Sequence, residues 1–376
     1  MKRPSLLIIA DSETDADMRF ALGISVPGRV VFLRTDRRSI ALMPDGDVAR
    51  ARAESQLGRV DSISRYVRQA ERSGIVSPGP AQVAFLLCKE YRIRKLSVPY
   101  LFPAGFAQQL RKLGIRVKVR DGHFFREREF KTPIEVRKIV AAVGMAEVGM
   151  SEGLHALRRA RMGPGRQLIF QGGPLTCEKL RTIIDTGVMQ AGGVPEHTLV
   201  AAGIQTCDPH GPGTGPLLSQ SPILIDIRAR SARTGYHGRL TRTVVRGHAP
   251  EALRQQYETV RRGQEMALSD LRPDQPVREI HERLRRFFHS EGFRTRISGR
   301  PPCGFLHSTG NGIGLEAEET PTLHGTSEDV LQPGHVVTLH PGLYYPGIGG
   351  VRLCDVVRVS ETTAENLTQF EKVLEI

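Results

Sequence analysis

Four stretches of this 376-residue chain concentrate glycine, histidine and acidic residues: Gly203 to His210, Asp226 to Thr243, His307 to Glu319 and Leu339 to Asp355. Imidazoles and carboxylates are the side chains that pass protons and, when grouped, hold divalent cations. Each stretch borders a run that reads as a strand, and sites commonly form where loops leave strands. Gly310, Gly312 and Gly314 are expected to act as backbone devices that permit tight turns.

The elements that must position these residues divide into two regions. Over the first 125 residues, strand-like runs (Leu6 to Ala10, Val30 to Leu33, Ile40 to Met43, Leu96 to Val98, Ile115 to Val119) alternate with helix-period runs (Arg65 to Ile75, Ala81 to Tyr91, Phe106 to Leu113). That alternation predicts an α/β domain with a mixed sheet. From residue 126 the character changes. Two helical patterns, Ile134 to Ala160 and Cys177 to Gln190, precede glycine- and proline-rich loops from Gly192 to Pro216. A strand at Ile223 to Ile227 is expected to pair with Leu240 to Val245. Two amphipathic helices follow, carrying Leu253 to Leu271 and Val277 to Phe287, and then strands at Val336 to Leu339, Gly349 to Leu353 and Val356 to Val359. The boundaries are therefore 1–125 for the α/β domain and 126–376 for an α+β domain.

Composition excludes several classes. Hydrophobic residues make up 39% and charged residues 25%, the balance of ordinary globular chains. The longest apolar runs fall far short of a membrane span. Met1-Lys2-Arg3 followed by a short apolar run has the outline of a signal peptide, but Asp11, Glu13, Asp15 and Asp17 follow at once. The segment reads better as a buried first strand. The five cysteines are odd in number and scattered, without CxxC spacing, which predicts no disulfide framework and a reducing, cytoplasmic setting. The net charge is +13, and residues 1–130 hold 24 Lys and Arg against 14 Asp and Glu. Such a basic lobe could face an acidic partner, nucleic acid or a second subunit. With 44 arginines in the chain it equally reads as general arginine enrichment. No zinc knuckle, RNP strip or helix-turn-helix pattern accompanies the charge, so nucleic acid is not expected.

The motifs, taken in order, resemble a known family. An Asp-bearing strand (Asp226) is followed by Tyr236 and Thr241-Arg242-Thr243. Then come His307 to Glu316 with its spaced glycines, Pro341-Gly342-Leu343-Tyr344, and Arg352-Leu353-Cys354-Asp355. This order resembles the pita-bread peptidases: Xaa-Pro aminopeptidase, prolidase, methionine aminopeptidase and the metal-free creatinase. The resemblance spans essentially the whole chain and implies a creatinase-like N-terminal α/β domain and a pita-bread C-terminal domain, with a homodimer as the expected assembly.

The resemblance also implies a pair of divalent metals held by two aspartates, a histidine and two glutamates, activating a bridging water. Asp226 matches the first aspartate. At the other four positions stand Arg239, Asn311, His340 and Cys354, and Glu318 replaces a further histidine. No metal is expected in such a set, and Arg239 is expected to bond Asp226 or Glu318. Its alternative is one zinc on Asp226, His340 and Cys354. The resemblance gives catalytic roles to His210, His307 and Glu318, and substrate-binding roles to Arg352, Arg242 and Tyr236. Against these stand simpler readings: His210 as a solvated loop residue, His307 as a turn cap, the arginines as surface residues, and Tyr236 and Thr241 as strand packing. The implied function is either a non-catalytic pseudopeptidase or a metal-independent hydrolase of a small C–N bond, acting on a small molecule or short peptide. The alternative is an active metal-dependent Xaa-Pro peptidase.

Overall fold

The computed structural model describes residues 4–55, 57–298 and 302–376. Met1, Lys2 and Arg3, weighed above as the head of a targeting segment, lie outside the described residues. The chain forms two compact units, Met1–Arg128 and Glu129–Ile376.

In the first unit a six-stranded mixed sheet runs in the order Arg59–Ser62, Ser39–Met43, Arg29–Arg34, Ser5–Asp11, Lys95–Val98, Arg116–Val119. Side chains of successive strand residues point to opposite faces, and the apolar runs are buried on both. Leu7, Ile9, Val31, Leu33, Ile40 and Leu42 enter one hydrophobic cluster, and Leu6, Ile8, Val30, Phe32, Ala41 and Met43 another. Covering two faces requires helices on both. Two helices and one strand here carry too little apolar periodicity to be read from sequence: Ala16–Leu22, Asp45–Glu54 and Arg59–Ser62. Asp15 belongs to the acidic run that argued against a signal peptide. It caps the first of these helices, accepting from the Met18 amide at 2.7 Å.

The second unit begins with the 27-residue helix Pro133–Arg159. The Thr132 hydroxyl accepts from the Glu135 amide and the Glu135 carboxylate from the Thr132 amide, a reciprocal cap. This helix packs on Cys177–Gln190 at Gly149 and Gly153, where an added Cβ would lie 2.6 Å from Val188 and 2.8 Å from Ile184. The stretch read as loop from Gly192 to Pro216 contains two strands, Gly193–Pro195 and Leu199–Ala202, both antiparallel to Pro222–Ser231. That central strand also pairs with His237–Val245, setting Asp226 opposite Thr241 and Arg228 opposite Arg239. A second, antiparallel sheet runs Glu319–Leu323, Gly310–Gly312, Val336–Leu339, Asp355–Val359, Ala364–Asn366. The hairpin Gly342–Tyr345 with Gly349–Arg352 stands beside it. Helix Glu251–Asp270 is fastened to these strands by buried amides: Gln256 donates to the Leu343 and Gly349 carbonyls and Gln264 to that of Leu339. No described helix is long and apolar enough to cross a membrane.

The expectation that Gly310, Gly312 and Gly314 shape tight turns is corrected. Gly310 and Gly312 lie within a strand, and none of the three has positive φ. Their requirement is close approach: a Cβ on Gly310 would sit 1.9 Å from the Thr338 carbonyl oxygen, and one on Gly312 2.2 Å from that of Thr320. Gly310→Ala is therefore expected to cost about 3 kcal/mol or more. Gly144→Ala, on a helix with nothing within 4 Å, should stabilise by roughly 0.5–1 kcal/mol. Urea denaturation of the two variants checks both; equal effects would contradict the close-approach account.

Candidate functional site

Strand register places Asp226 directly across from Thr241, whose hydroxyl donates to Oδ1 at 2.6 Å. Arg239, two residues earlier on the same strand face, lays its fork along the carboxylate, Nε to Oδ1 at 3.2 Å and Nη2 to Oδ2 at 2.9 Å. Arg352, at the end of the hairpin, adds Nη2 to Oδ2 at 2.9 Å and Nη1 to the Pro209 carbonyl at 2.9 Å. All three ionic side chains are at most 5% exposed. Burial by itself would raise the Asp226 pKa, but the fields of Arg239 and Arg352 overcome it and hold the carboxyl well below its ordinary range. For Arg239 burial works against the charge, and Asp226 more than restores it, leaving the guanidinium firmly protonated. Such bidentate, charge-assisted bonds are the strong ones in proteins.

Two histidines lie against this cluster with assignable tautomers. His307 Nδ1 is 2.8 Å from the Ser308 carbonyl, which only accepts, so Nδ1 carries the proton. Nε2 then accepts from the Tyr344 hydroxyl at 2.7 Å. The Thr338 hydroxyl donates to the Asn311 carbonyl at 3.1 Å. It must therefore accept from His340 Nδ1, 3.0 Å away. His340 Nε2 faces the Ser308 hydroxyl at 3.4 Å, a long contact. Burial and then the charge of Arg352 push His307 down to about 3. Burial and Arg239 push His340 well below its usual value. Both rings are neutral near pH 7. Burial likewise raises the Cys354 thiol to about 12, keeping it protonated.

These residues do not fit the two-metal arrangement that the resemblance implies. Both oxygens of Asp226 are filled by four donors, three of them from the two guanidinium groups. Nor do they fit one zinc on Asp226, His340 and Cys354, because that set adds a protonated thiol to the filled carboxylate. Among the described residues no three His, Cys, Asp or Glu side chains are grouped to hold a metal ion.

Of the residues singled out from sequence, Asp226, Arg239, Arg352, His307, His340 and Cys354 come together. Asn311 joins through Thr338, which bonds both its backbone and His340. Three expectations are corrected. Glu318 is 59% exposed and pairs with Arg228 at 3.2 Å, too solvated to hold a catalytic proton at the cluster or to bond Arg239. Tyr236 turns into an apolar cluster with Val136, Ile139 and Val143 and donates to Glu135 at 2.7 Å, which removes it from substrate binding. Arg242 is buried against Asp355 at 2.9 Å and donates to the carbonyls of Cys354, Phe370 and Glu371, pinning the C-terminal segment. It has no face for substrate. His210 sits exposed on its loop, the backbone amide donating to Asp208 at 2.9 Å. Sequence reasoning passed over Ser308, Thr338 and Tyr344 as functional. Thr338 was findable, since it stands two residues before His340 on one strand face.

Asp226→Ala would leave two buried guanidinium groups facing each other, whereas after Arg239→Ala the carboxylate keeps Arg352 and Thr241. Breaking a buried pair costs about 3–5 kcal/mol. Arg239→Ala is placed near the lower figure and Asp226→Ala near the upper; the reverse order in urea denaturation would refute the arrangement. The pH dependence follows from linkage. Asp226, with its folded pKa lowered, stabilises fully above 3.8 and loses that contribution as pH falls below it. His307 and His340, also lowered, stabilise above 6.5 and lose stability as pH falls from there, because the unfolded chain takes up protons first. The urea midpoint should therefore drop between pH 7.5 and pH 5; a flat profile would contradict the neutral rings.

Comparison with known proteins agrees with this geometry in fold. The chain is 32% identical over 177 residues to a Xaa-Pro dipeptidase of Pyrococcus furiosus, covering 47% of this chain and 48% of that protein. An uncharacterized peptidase of Bacillus subtilis is 32% identical over 176 residues, 47% of each chain. The chain thus matches about half the length of these curated relatives. Among solved structures, an X-Pro aminopeptidase from Thermotoga maritima superposes with a TM-score of 0.82 at 19% identity, over 99% of this chain and 97% of that one. A Xaa-Pro dipeptidase from Bacillus anthracis gives 0.82 at 21%, over 99% and 95%. The two-domain fold is that of the pita-bread proteins. With residues 137–361 matching the metallopeptidase family M24, over the same strands that assemble the Asp226 cluster, the chain belongs to that family.

Proposed function

We propose that this chain is a pseudopeptidase of the M24 family, binding a small molecule or short peptide without metal-dependent cleavage of Xaa-Pro bonds. One observation carries the reading: the Asp226 carboxylate is saturated by Arg239, Arg352 and Thr241. A divalent ion would have to displace two guanidinium groups and then sit in their repulsive field. The bases nearest the cluster are also poorly suited to turnover. The His307 lone pair is taken by Tyr344, and protonating His340 would place a third cation beside Arg239. A second reading, hydrolysis of a small C–N bond without metal, is supported by His210 alone. That imidazole is exposed beside His307, and its ring bonds no described residue.

Elemental analysis of the purified protein, together with a Xaa-Pro dipeptide assay in added Mn²⁺, tests the first reading. The expected result is a metal content well below one ion per chain and no cleavage. Two ions per chain, or Mn²⁺-stimulated cleavage, would sink it. Arg239→Asp is expected to leave the protein inactive, because Asn311, His340 and Cys354 remain. If a metal-free activity on creatine-type substrates appears and His210→Gln abolishes it, the second reading replaces the first.

A further inference from the structure

The cluster around Asp226 carries more positive than negative charge. Among its side chains at most 5% exposed stand three guanidinium groups (Arg239, Arg242, Arg352) and two carboxylates (Asp226, Asp355). His307, His340 and Cys354, all neutral near pH 7, contribute nothing to the balance. Lys372 and Arg228 approach from the half-buried margin and Glu318 from solvent, so the excess is not removed there. An uncompensated charge in a low-dielectric interior is costly.

Donors remain for a counter-ion. Arg239 uses Nε and Nη2 on Asp226, and its Nη1 donates to no described residue. Arg352 Nε is fully buried and its neighbour is the Tyr344 hydroxyl, which donates to His307 and keeps a lone pair for Arg352. The Ser308 hydroxyl has only its long contact to His340, the ring on which Arg239 acts most strongly among the charges.

We propose that this guanidinium-lined cluster is a receptor for a single carboxylate, held by Arg239 Nη1 with the Ser308 hydroxyl as second donor. One surplus charge among the buried side chains matches a monoanion better than a phosphate dianion. The planar two-oxygen acceptor also suits one guanidinium N–H beside one hydroxyl. The carboxylate can come from a free small acid or from a peptide C-terminus. This deepens the pseudopeptidase reading and rests on its metal-free site.

The test is calorimetric titration of the full chain at constant ionic strength with sodium acetate, the dipeptide Gly-Pro, its C-terminal amide, sodium phosphate and sodium chloride. Acetate or Gly-Pro should bind saturably, and the amide roughly tenfold or more weakly than the acid, the loss expected for a bond to a charged group. Binding of acetate alone identifies a small acid, and tighter binding of Gly-Pro a peptide C-terminus. Ser308→Ala should weaken the acid by roughly tenfold without unfolding, and Arg239→Lys should weaken it further. If the lysine variant does not fold, the acid-to-amide ratio and Ser308→Ala still decide. Equal binding of acid and amide, preference for phosphate or chloride, or no binding at all would overturn the proposal. Elemental analysis separates the two failures: a metal-loaded, cleaving protein ends the pseudopeptidase reading, while a metal-free protein that takes no carboxylate ends only this one.

Discussion

Everything in the second unit that bears on function is arranged around one buried carboxylate and the two guanidinium groups that hold it. Asp226 lies on a strand covered on every side, where an isolated ion would cost many kcal/mol. Arg239 answers it from the neighbouring strand and Arg352 from the hairpin, so three separate segments are fixed by a single anion. The pairing is reinforced close by: Thr241 is hydrogen-bonded across to Cys354, and Thr243 to Arg352, through backbone and hydroxyl contacts. The strand pair and the hairpin cannot shift without exposing a charge.

The same interaction sets the chemistry of its surroundings. Imidazoles beside two permanent cations resist protonation, and burial acts in the same direction. His307 and His340 are therefore neutral rings whose tautomers are fixed by Ser308 and Thr338 rather than by solvent. A carboxylate ligand shell would have done the opposite, raising histidine basicity and attracting cations. With Arg239, His340 and Cys354 where the resemblance implies carboxylates, and Asn311 where it implies a histidine, the local field has the opposite sign. Close glycine contacts, with Gly310 against Thr338 and Gly238 against Ala142, leave no room for a side chain at either position.

What the sequence determined by itself was the order of elements and the identity of the residues at the cluster. Apolar runs of strand and helix length located the main sheets because burial on both faces, or on one stripe, leaves a pattern in one dimension. The motif order then placed Asp226, Arg239, His340 and Cys354 at one site, and a buried arginine beside a buried aspartate has few alternatives to pairing. Short polar elements escaped. Leu199–Ala202 and Gly193–Pro195 lie among glycines and prolines, and they are strands only because Pro222–Ser231 offers both of them a partner.

Tertiary structure alone decided which polar side chains face the cluster. Tyr236, Arg242 and Glu318 have types as suitable for chemistry as those of Arg352 and His307, yet they turn to Glu135, Asp355 and Arg228. Their partners lie between about 90 and 113 positions away, or emerge from the opposite sheet, so no local pattern encodes the choice. The second bond of Arg352 to Asp226, 126 residues distant, is of the same kind. A strand's alternation fixes two possible directions for a side chain; only the packing of sheet against hairpin selects the one that meets a charge of opposite sign.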